Sequence, residues 1–533
     1  FPVLLVAQDT RGGIAGTVTD SQKAVIAGAS VLVANTDNGT STRLTTNSSG
    51  YYEALLLLPG EYRVTVENAG FKKSVRSGIT VGIGDRLQVD IALEVGGTTE
   101  SVTVTSEAPI LDTSSVTTGR QMTHREVMDL PVLGNNVSML ARLAPGVQVP
   151  GTTQSLLQGQ VGGGSAYNMP GGVGGNEWSM DGASTNGTDR RTAIMPSPDI
   201  VDEFKIETSN FDASFGHSTG LNVSMSTKSG ANALHWSATY QYFNQRWNAA
   251  SFFVKQSRYA NIAALRAAGN TAGADALAAT PMVPPGHTNN YHGTISGPVV
   301  IPKLYDGRNK TFWLSDYAIN HERTINVRVT TVPTPEMLNG DFSFKEAAGG
   351  GLPIYNPFST RQVNGTWTRD PLPNNVIPKN LMDPVAVKFL NLGIWLPPNQ
   401  VGSPTRSGPS GNLQRAESCR CLNRDRWDEK IDHQFNSNNK IFFRYSQGHH
   451  RGHNGDNFAK EEYNASAYIN PTDTINSVIS YTSILSRRLF NEFRVGYNRR
   501  ASSNPDRPDS VLNSLSIPGV APETFPYFNI GFS

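Results

Sequence analysis

Few residues in this chain have the types and spacing for chemistry. Gly216-His-Ser-Thr-Gly220 matches the G-x-S-x-G elbow, in which Ser218 would be a nucleophile. That elbow works only on a sharp strand-to-helix turn that lifts the serine above a sheet. Here Leu221, Val223 and Met225 alternate with Asn222, Ser224 and Ser226, so a strand follows and the helix is missing. His449-His450 and His453, near Glu461-Glu462, carry ligand atoms for a metal. Loop histidines after an aromatic strand are more often solvated, and no metal is assigned. The glycine-rich run Gly159–Gly175 has neither the G-K-[S/T] ending of a phosphate loop nor G-x-G-x-x-G spacing. Cys419 and Cys421 are one residue apart, which is neither C-x-x-C nor a zinc pattern, although an oxidised pair fits a periplasmic or surface setting. No acid and base are paired in a defined context, so no catalytic residue and no cofactor is assigned.

One stretch has binding chemistry of another kind. Glu100, Ser101, Val102, Thr103, Val104 and Thr105 alternate β-branched residues, lack proline and leave backbone groups free to pair. A partner can capture such a segment by strand addition. It lies in a Thr/Ser/Gly-rich linker, residues 96–117.

The elements that must position these groups are mainly β. Basic and acidic residues number 45 and 44, a net charge of +1, which argues against a nucleic-acid partner. No apolar run approaches the length a membrane helix needs. That does not exclude a barrel, whose strands show lipid only alternate residues. The opening Phe-Pro-Val-Leu-Leu-Val-Ala-Gln reads as the remnant of a secretory signal over residues 1–10, with cleavage near Ala7; a frayed terminus is the alternative. Over residues 11–95, the runs Ile14–Val18, Ala29–Val33, Arg43–Thr46, Tyr51–Leu57, Tyr62–Val66 and Leu87–Leu93 are separated by turn signals, the pattern of a small β-sandwich. Helices are expected at His124–Leu130, stopped by Pro131, and at Val137–Leu143, stopped by Pro145-Gly146. Val201–Thr208 reads as a strand. After the turn Lys228–Asn232, Leu234, Trp236, Ala238, Tyr240 and Tyr242 share one face and His235, Ser237, Thr239 and Gln241 the other. That length and alternation suit a membrane β-strand with aromatics toward lipid. Further strands are expected at Tyr291–Val300 with Lys310–Ile319, at Arg323–Thr331, at Trp427–Phe435 with Lys440–Gln447, and at Ser477–Leu485 with Leu489–Arg499. Val332–Arg424 is long, polar and proline-rich, as an extracellular barrel loop is.

The wording of two regions resembles known families. Residues 11–95, through Gly16, Asp20, Gly28-Ala29, Gly50-Tyr51, Leu58-Pro59-Gly60, Tyr62 and Gly70-Phe71, resemble the carboxypeptidase regulatory-like domain. That fold is shared with starch-binding-like modules, which makes carbohydrate binding an inherited option, but residues 11–95 contain no tryptophan to stack on a sugar. The run from Glu203 to Ala238 resembles the plug-to-barrel junction of TonB-dependent receptors of the Oar-like group. In the same group, LPVLGNNVSMLARLAPGV (130–147) resembles the early plug segment, Asn176-Glu-Trp-Ser-Met-Asp-Gly182 the strand-turn before the plug loops, and VPTPEMLNGDFS (332–343) part of a long barrel loop. The resemblance implies an α+β plug over 118–230 and the first part of an antiparallel outer-membrane β-barrel over 231–533. It makes Glu100–Thr105 resemble a TonB box, for capture by a TonB-type periplasmic energy-coupling protein. It also points to plug-loop ligand contacts among Trp178, Asp181, Asn186, Asp189, Arg190 and Arg191, in loops facing the outer opening.

Three functions are therefore on the table. The first is an energised outer-membrane receptor and transporter, with lipid around the barrel, a periplasmic N-terminal domain and a ligand too large for passive porins, such as a carbohydrate or peptide. The second is a surface carbohydrate-binding, adhesion or export-related outer-membrane protein without energised uptake. The third, a hydrolase using Ser218, lacks its structural context. About eight to ten strands are expected after residue 232, fewer than the 22 of plugged transporters, so the barrel sheet is expected to be open.

Overall fold

A computed structural model of the protein describes residues 11–97, 101–105, 118–130, 136–147, 175–187, 192–209, 220–453, 468–486 and 489–502, with gaps within 220–453 at 268, 270, 284, 326, 345–351, 394, 400–401, 406–407 and 417–419. The signal remnant, Glu100, Ser218, most of the glycine-rich run, Asp189, Arg190, Arg191 and Glu461-Glu462 lie outside the described residues.

The N-terminal unit is a sandwich of nine strands: β1 (Gly12–Asp20), β2 (Ser30–Asn35), β3 (Ser41–Thr45), β4 (Tyr51–Leu57), β5 (Gly60–Glu67), β6 (Lys73–Val81), β7 (Arg86–Gln88), β8 (Ile91–Leu93) and β9 (Ser101–Thr105). One sheet runs β4-β1-β7, with β8 also on β1; the other runs β3-β2-β5-β6-β9. Alternate residues such as Val31, Val33, Val64, Val66 and Ile14 meet between the sheets and are fully buried. The strand expected over Leu87–Leu93 is two strands, because the chain bends at Val89-Asp90. There the Val89 carbonyl accepts the Tyr52 hydroxyl at 2.7 Å. Gly16 passes so close to that carbonyl that any Cβ would collide with it.

One expectation needs correction here, and one strand is additional to those expected. Lys73–Val81, not among the runs read as strands, is a full strand. Ser101–Thr105, expected to lie free of the sandwich, is the outermost strand of its sheet, parallel to β6 with Lys73 opposite Ser101 and Ser77 opposite Thr105. The reason is common to both. An edge strand such as β6 presents a row of unsatisfied backbone groups, and the nearby Ser/Thr/Val segment satisfies them.

The second unit is a five-stranded mixed sheet of β10 (Thr118–Thr123), β11 (Glu177–Met180), β12 (Ala183–Ser184), β13 (Val201–Ser209) and β14 (Asn222–Thr227), in the order β10-β13-β14-β11-β12. Helix α1 (His124–Asp129) begins at a capping box: the Thr123 hydroxyl accepts from the Glu126 N–H, and the Glu126 carboxylate accepts from the Thr123 N–H. Val137–Leu143 is helical as expected, in the tighter 3₁₀ form, capped by Asn136. Trp178, Phe204, Met180, Val223 and Met225 form the core.

Seven long antiparallel strands make the third unit: β15 (His235–Asn244), β16 (Gly286–Pro298), β17 (Thr311–Thr324), β18 (Arg420–Asn436), β19 (Asn439–His453), β20 (Tyr468–Ser486) and β21 (Leu489–Ser502), paired in chain order. Among the described residues the sheet is open, since β15 and β21 do not pair with each other. Short turns join the strands at one end and long segments at the other, among them α2 (Phe252–Ala267) and α3 (Thr271–Ala279), which the sequence pattern does not anticipate. The strand expected at Arg323–Thr331 is also divided. β17 ends at Thr324, and Val327–Thr330 pairs with Leu413–Ala416 in a separate ribbon.

Alternation divides the two faces of this sheet. Trp236, Tyr240, Tyr291, Tyr317, Ile431, Phe443, Ile479 and Val495 are exposed on the outside. The inside carries Asn290, His292, Asp316, Asp428, Lys430, Arg444, Asn476 and Ser480, all buried. Trp236, Tyr240 and Tyr242 face out as expected. His235 and Gln241 are exposed too, although they belong to the inner face: Gln241 is opposite buried Asn290, and Asn290 Nδ2 approaches its Oε1 at 3.5 Å. Their exposure follows from β15 being an open edge of the sheet. The outer face predicts a depth-dependent response to charge. Tyr317→Arg, at the middle of β17, is expected to cost about 2–4 kcal/mol of folding stability in lipid vesicles, against less than about 1 kcal/mol for Thr239→Arg on the inner face.

Candidate functional site

The second unit is seated against the inner face of the third, and the seat is built around the tip of one hairpin. Asp181 and Gly182 join β11 to β12 with φ of 50° and 76°, the two left-handed residues that a tight hairpin loop demands. Gly182 lies against the Arg494 guanidinium, which a Cβ there would displace. Asp181 is buried and faces two cations of the wall, with Arg444 Nε 2.8 Å and Lys430 Nζ 3.6 Å from its carboxylate. Thr227 donates to it twice, from its N–H at 2.9 Å and its hydroxyl at 2.7 Å. Lys430 also donates to the Thr227 carbonyl at 2.8 Å, and Arg444 to the Met180 carbonyl at 3.2 Å. Burial pushes the Asp181 carboxyl up, but Lys430, Arg444 and the Thr227 donors outweigh it and hold the group below its ordinary value.

A second patch repeats the arrangement. His292 Nδ1 lies 3.0 Å from the Asp199 carboxylate, and the other ring nitrogen of His292 lies 2.5 Å from Asp316. The Ser197 hydroxyl reaches His292 at 2.9 Å, and Arg426 donates to the Met195 carbonyl and pairs with Asp428 at 2.6 Å. Asn476 and Asn498 add bonds to the carbonyls of Ser184 and Asn186 at 3.1 and 2.7 Å. Asp181 and Asp199 thus come from the inserted unit, while the wall supplies Lys430, Arg444, Arg426 and His292 together with the carboxylates Asp316 and Asp428.

The sandwich is docked on both other units. The Ile83 N–H donates to Glu203 Oε2 at 2.6 Å, and Lys205 Nζ donates to the Ile83 carbonyl at 2.8 Å. Gln121 donates to the other Glu203 oxygen and lies 3.4 Å from Asp85. On the wall side, Asn232 donates to the Asn38 carbonyl at 2.9 Å and Gln434 to the Ser41 carbonyl at 3.3 Å. Between the three units lies a cavity of about 350 Å³ lined by residues such as Asn38, Pro59, Asp202, Lys228 and Ser237.

The structure separates the expected ligand contacts. Trp178 is fully buried, its ring 6.4 Å from that of Phe204, and is a core residue. Asp181 borders the cavity, but its carboxylate is committed to Arg444, Lys430 and Thr227. Asn186 donates to the Asn176 carbonyl at 2.7 Å and the Glu177 carboxylate at 3.2 Å. Residues 193–198 are buried against the wall instead of facing an opening. Trp178, Asp181 and Asn186 are thus engaged within the protein, and Asp189, Arg190 and Arg191 lie outside the described residues. His449 and His450 face opposite sides of β19, and His449 is bonded to Asp473 at 2.7 Å, so the pair does not converge on one ion. Cys421 is disulfide-bonded. The residues that sequence reasoning missed are Lys430, Arg444, Arg426, Asp316 and His292. For Arg426 and Lys430 the signal is a row of charged residues at even positions of β18, Arg424 to Asp432; His292, Asp316 and Arg444 are single residues on β16, β17 and β19.

The comparisons with known proteins fit this geometry. The outer membrane beta barrel domain family matches residues 226–533. The chain belongs to that family. The third unit is therefore an outer-membrane β-barrel sheet, and its exposed aromatic face is the lipid face. The carboxypeptidase regulatory-like domain family matches residues 13–94 of the sandwich. The TonB-dependent transporter Oar of Myxococcus xanthus is 28% identical over 237 residues, which is 42% of this chain and 21% of that protein. The chain thus spans about a fifth of the length of that relative. Among solved structures, the ferric enterobactin receptor of Pseudomonas aeruginosa is similar with a TM-score of 0.37 and 10% identity, over 73% of this chain and 42% of that one. The siderophore receptor PirA of Acinetobacter baumannii gives a TM-score of 0.37 and 11% identity, over 72% and 40%.

Glu203 makes the docking of the sandwich pH-dependent. Burial, and then the nearby Asp85, push its carboxyl from 4.5 up to about 8, against the opposing bonds from Ile83 and Gln121. The docked state therefore keeps a proton that a solvated Glu203 loses above its ordinary value. Docking is expected to be strongest below about pH 4.5 and to weaken as pH rises to about 8. Hydrogen exchange at the Ile83 amide, corrected for the intrinsic rate, should slow by about tenfold or more from pH 8 to pH 5, and Glu203→Gln should flatten that profile.

Proposed function

We propose that the protein is an outer-membrane TonB-dependent transporter whose inserted unit is a plug that must be displaced by work from a periplasmic partner. The observation that carries this reading is the Asp181 seat. The polar, charged inner face of the barrel sheet is covered by a folded unit whose Asp181 carboxylate is buried against Arg444 and Lys430, so that unit must move before a path along this face opens. The obstruction favours energised transport over passive diffusion. The likeness to the transporter Oar supports the same reading.

The coupling segment is Glu100–Thr105. An extended strand without proline is the form a partner captures by adding a strand, and Ser101–Thr105 already has that form. The residues leading on from it enter β10 of the plug, so a pull on the segment is delivered to the plug sheet. The ligand is one too large for an open porin.

Transport in cells carrying the receptor should require the proton-motive force and should stop when an uncoupler is added. Val102→Pro removes an N–H and fixes φ at the segment. It is expected to lower transport by at least about tenfold while leaving ligand binding and the melting temperature nearly unchanged, because Val102 is in an edge strand. Transport that persists in the uncoupled cells would favour the adhesion or export reading.

A further inference from the structure

The coupling segment is not waiting free in the periplasm. Ser101–Thr105 is hydrogen-bonded along one side to Lys73–Ser77 of the sandwich, in parallel register over five residues. It is the last strand of its sheet, and among the described residues no other strand pairs with it. We propose that the exposed edge of β6 is a holding site for the coupling segment, so that the sandwich competes with the periplasmic partner for the same strand. The proposal rests on the reading of this segment as the coupling site.

The argument is one of shared backbone chemistry. A partner that captures the segment by strand addition uses N–H and C=O groups along a strand edge, and β6 is already using that same kind of contact. The pairing is short, parallel and at an edge; parallel pairs are slightly less stable per residue than antiparallel ones, and an edge strand is open to exchange with another chain. The holder itself is fixed. The turn that follows β6 is bonded to the plug through Glu203 and Lys205, and the sandwich is bonded to the barrel through Asn38 and Ser41. Exchange therefore proceeds by the segment peeling away from a stationary edge. The sandwich then sets how often the segment is available, and coupling is restrained until a partner is close enough to trap the peeled strand.

Register gives a direct test. Val75 is opposite Thr103, and Val75 is on the half-exposed side of β6, whereas its neighbour Ser74 is buried. The full chain carrying Val75→Cys and Thr103→Cys is oxidised, and binding of the purified C-terminal domain of the TonB-type protein is measured before and after reduction. The chain without the new cysteines controls for the disulfide at Cys421. The expected result is at least about tenfold weaker binding in the oxidised form, restored by reductant, with no redox effect in the control. Unchanged binding in the cross-linked form would overturn the holding proposal, as would failure of the two cysteines to cross-link, because the pairing itself would then be absent. Val102→Pro in the uncross-linked chain separates the two readings. If that variant binds normally, the coupling assignment fails; if it loses binding while the cross-link has no effect, only the holding proposal fails.

Discussion

The buried carboxylate of Asp181 is the constraint on which the rest of this structure depends. A carboxylate removed from water is tolerated only if its charge is matched and its lone pairs are filled. Asp181 meets both conditions with groups from two units: Thr227 from its own sheet, and Arg444 and Lys430 from the barrel wall. Neither unit satisfies the group alone. The hairpin that presents it needs two left-handed residues in succession, which the pair Asp181-Gly182 supplies. Local turn chemistry and the long-range ion pairs therefore specify one another.

The same logic explains the two faces of the barrel sheet. Strand periodicity sends even residues of β18 to β21 inward and odd ones outward, so one sequence satisfies lipid and plug at once. Arg426, Asp428 and Lys430 face the plug, while Trp427 and Ile431, their immediate neighbours, are exposed to the other side. A slip of one residue would put this charged row into lipid, so the register of β18 is strongly fixed. The His292, Asp199 and Asp316 cluster then adds a second point of attachment, which sets the orientation of the plug as well as its depth.

Much of the fold was legible because it rests on short-range patterns. Tyr51–Leu57 is the strand that its alternation announces, and the lipid face of β15 follows from Trp236, Tyr240 and Tyr242. Lys73–Val81 was missed because Gly78, with a φ of 75°, interrupts the alternation at a shift in register, and the strand is held by β5 on one side and Ser101–Thr105 on the other. The candidate site was less legible. Trp178 is a ligand candidate only through the resemblance of its strand-turn motif, and its environment is set by Phe204 and by the strands on either side of it. Asp181 could be singled out as chemically active from the strand-turn it ends, but its partners lie more than two hundred residues further on and no local pattern joins them.

The measurement that tests this account most directly is a double-mutant cycle on the seat. Asp181→Asn, Arg444→Met and the double variant are compared by the free energy of plug opening, read from hydrogen exchange of the β11 and β14 amides in the intact receptor. If the buried pair holds the plug, each single change leaves a charge unmatched and the two effects are strongly non-additive, with a coupling of about 1–3 kcal/mol. Additivity within about 0.5 kcal/mol would show that Asp181 and Arg444 act independently and would contradict the account.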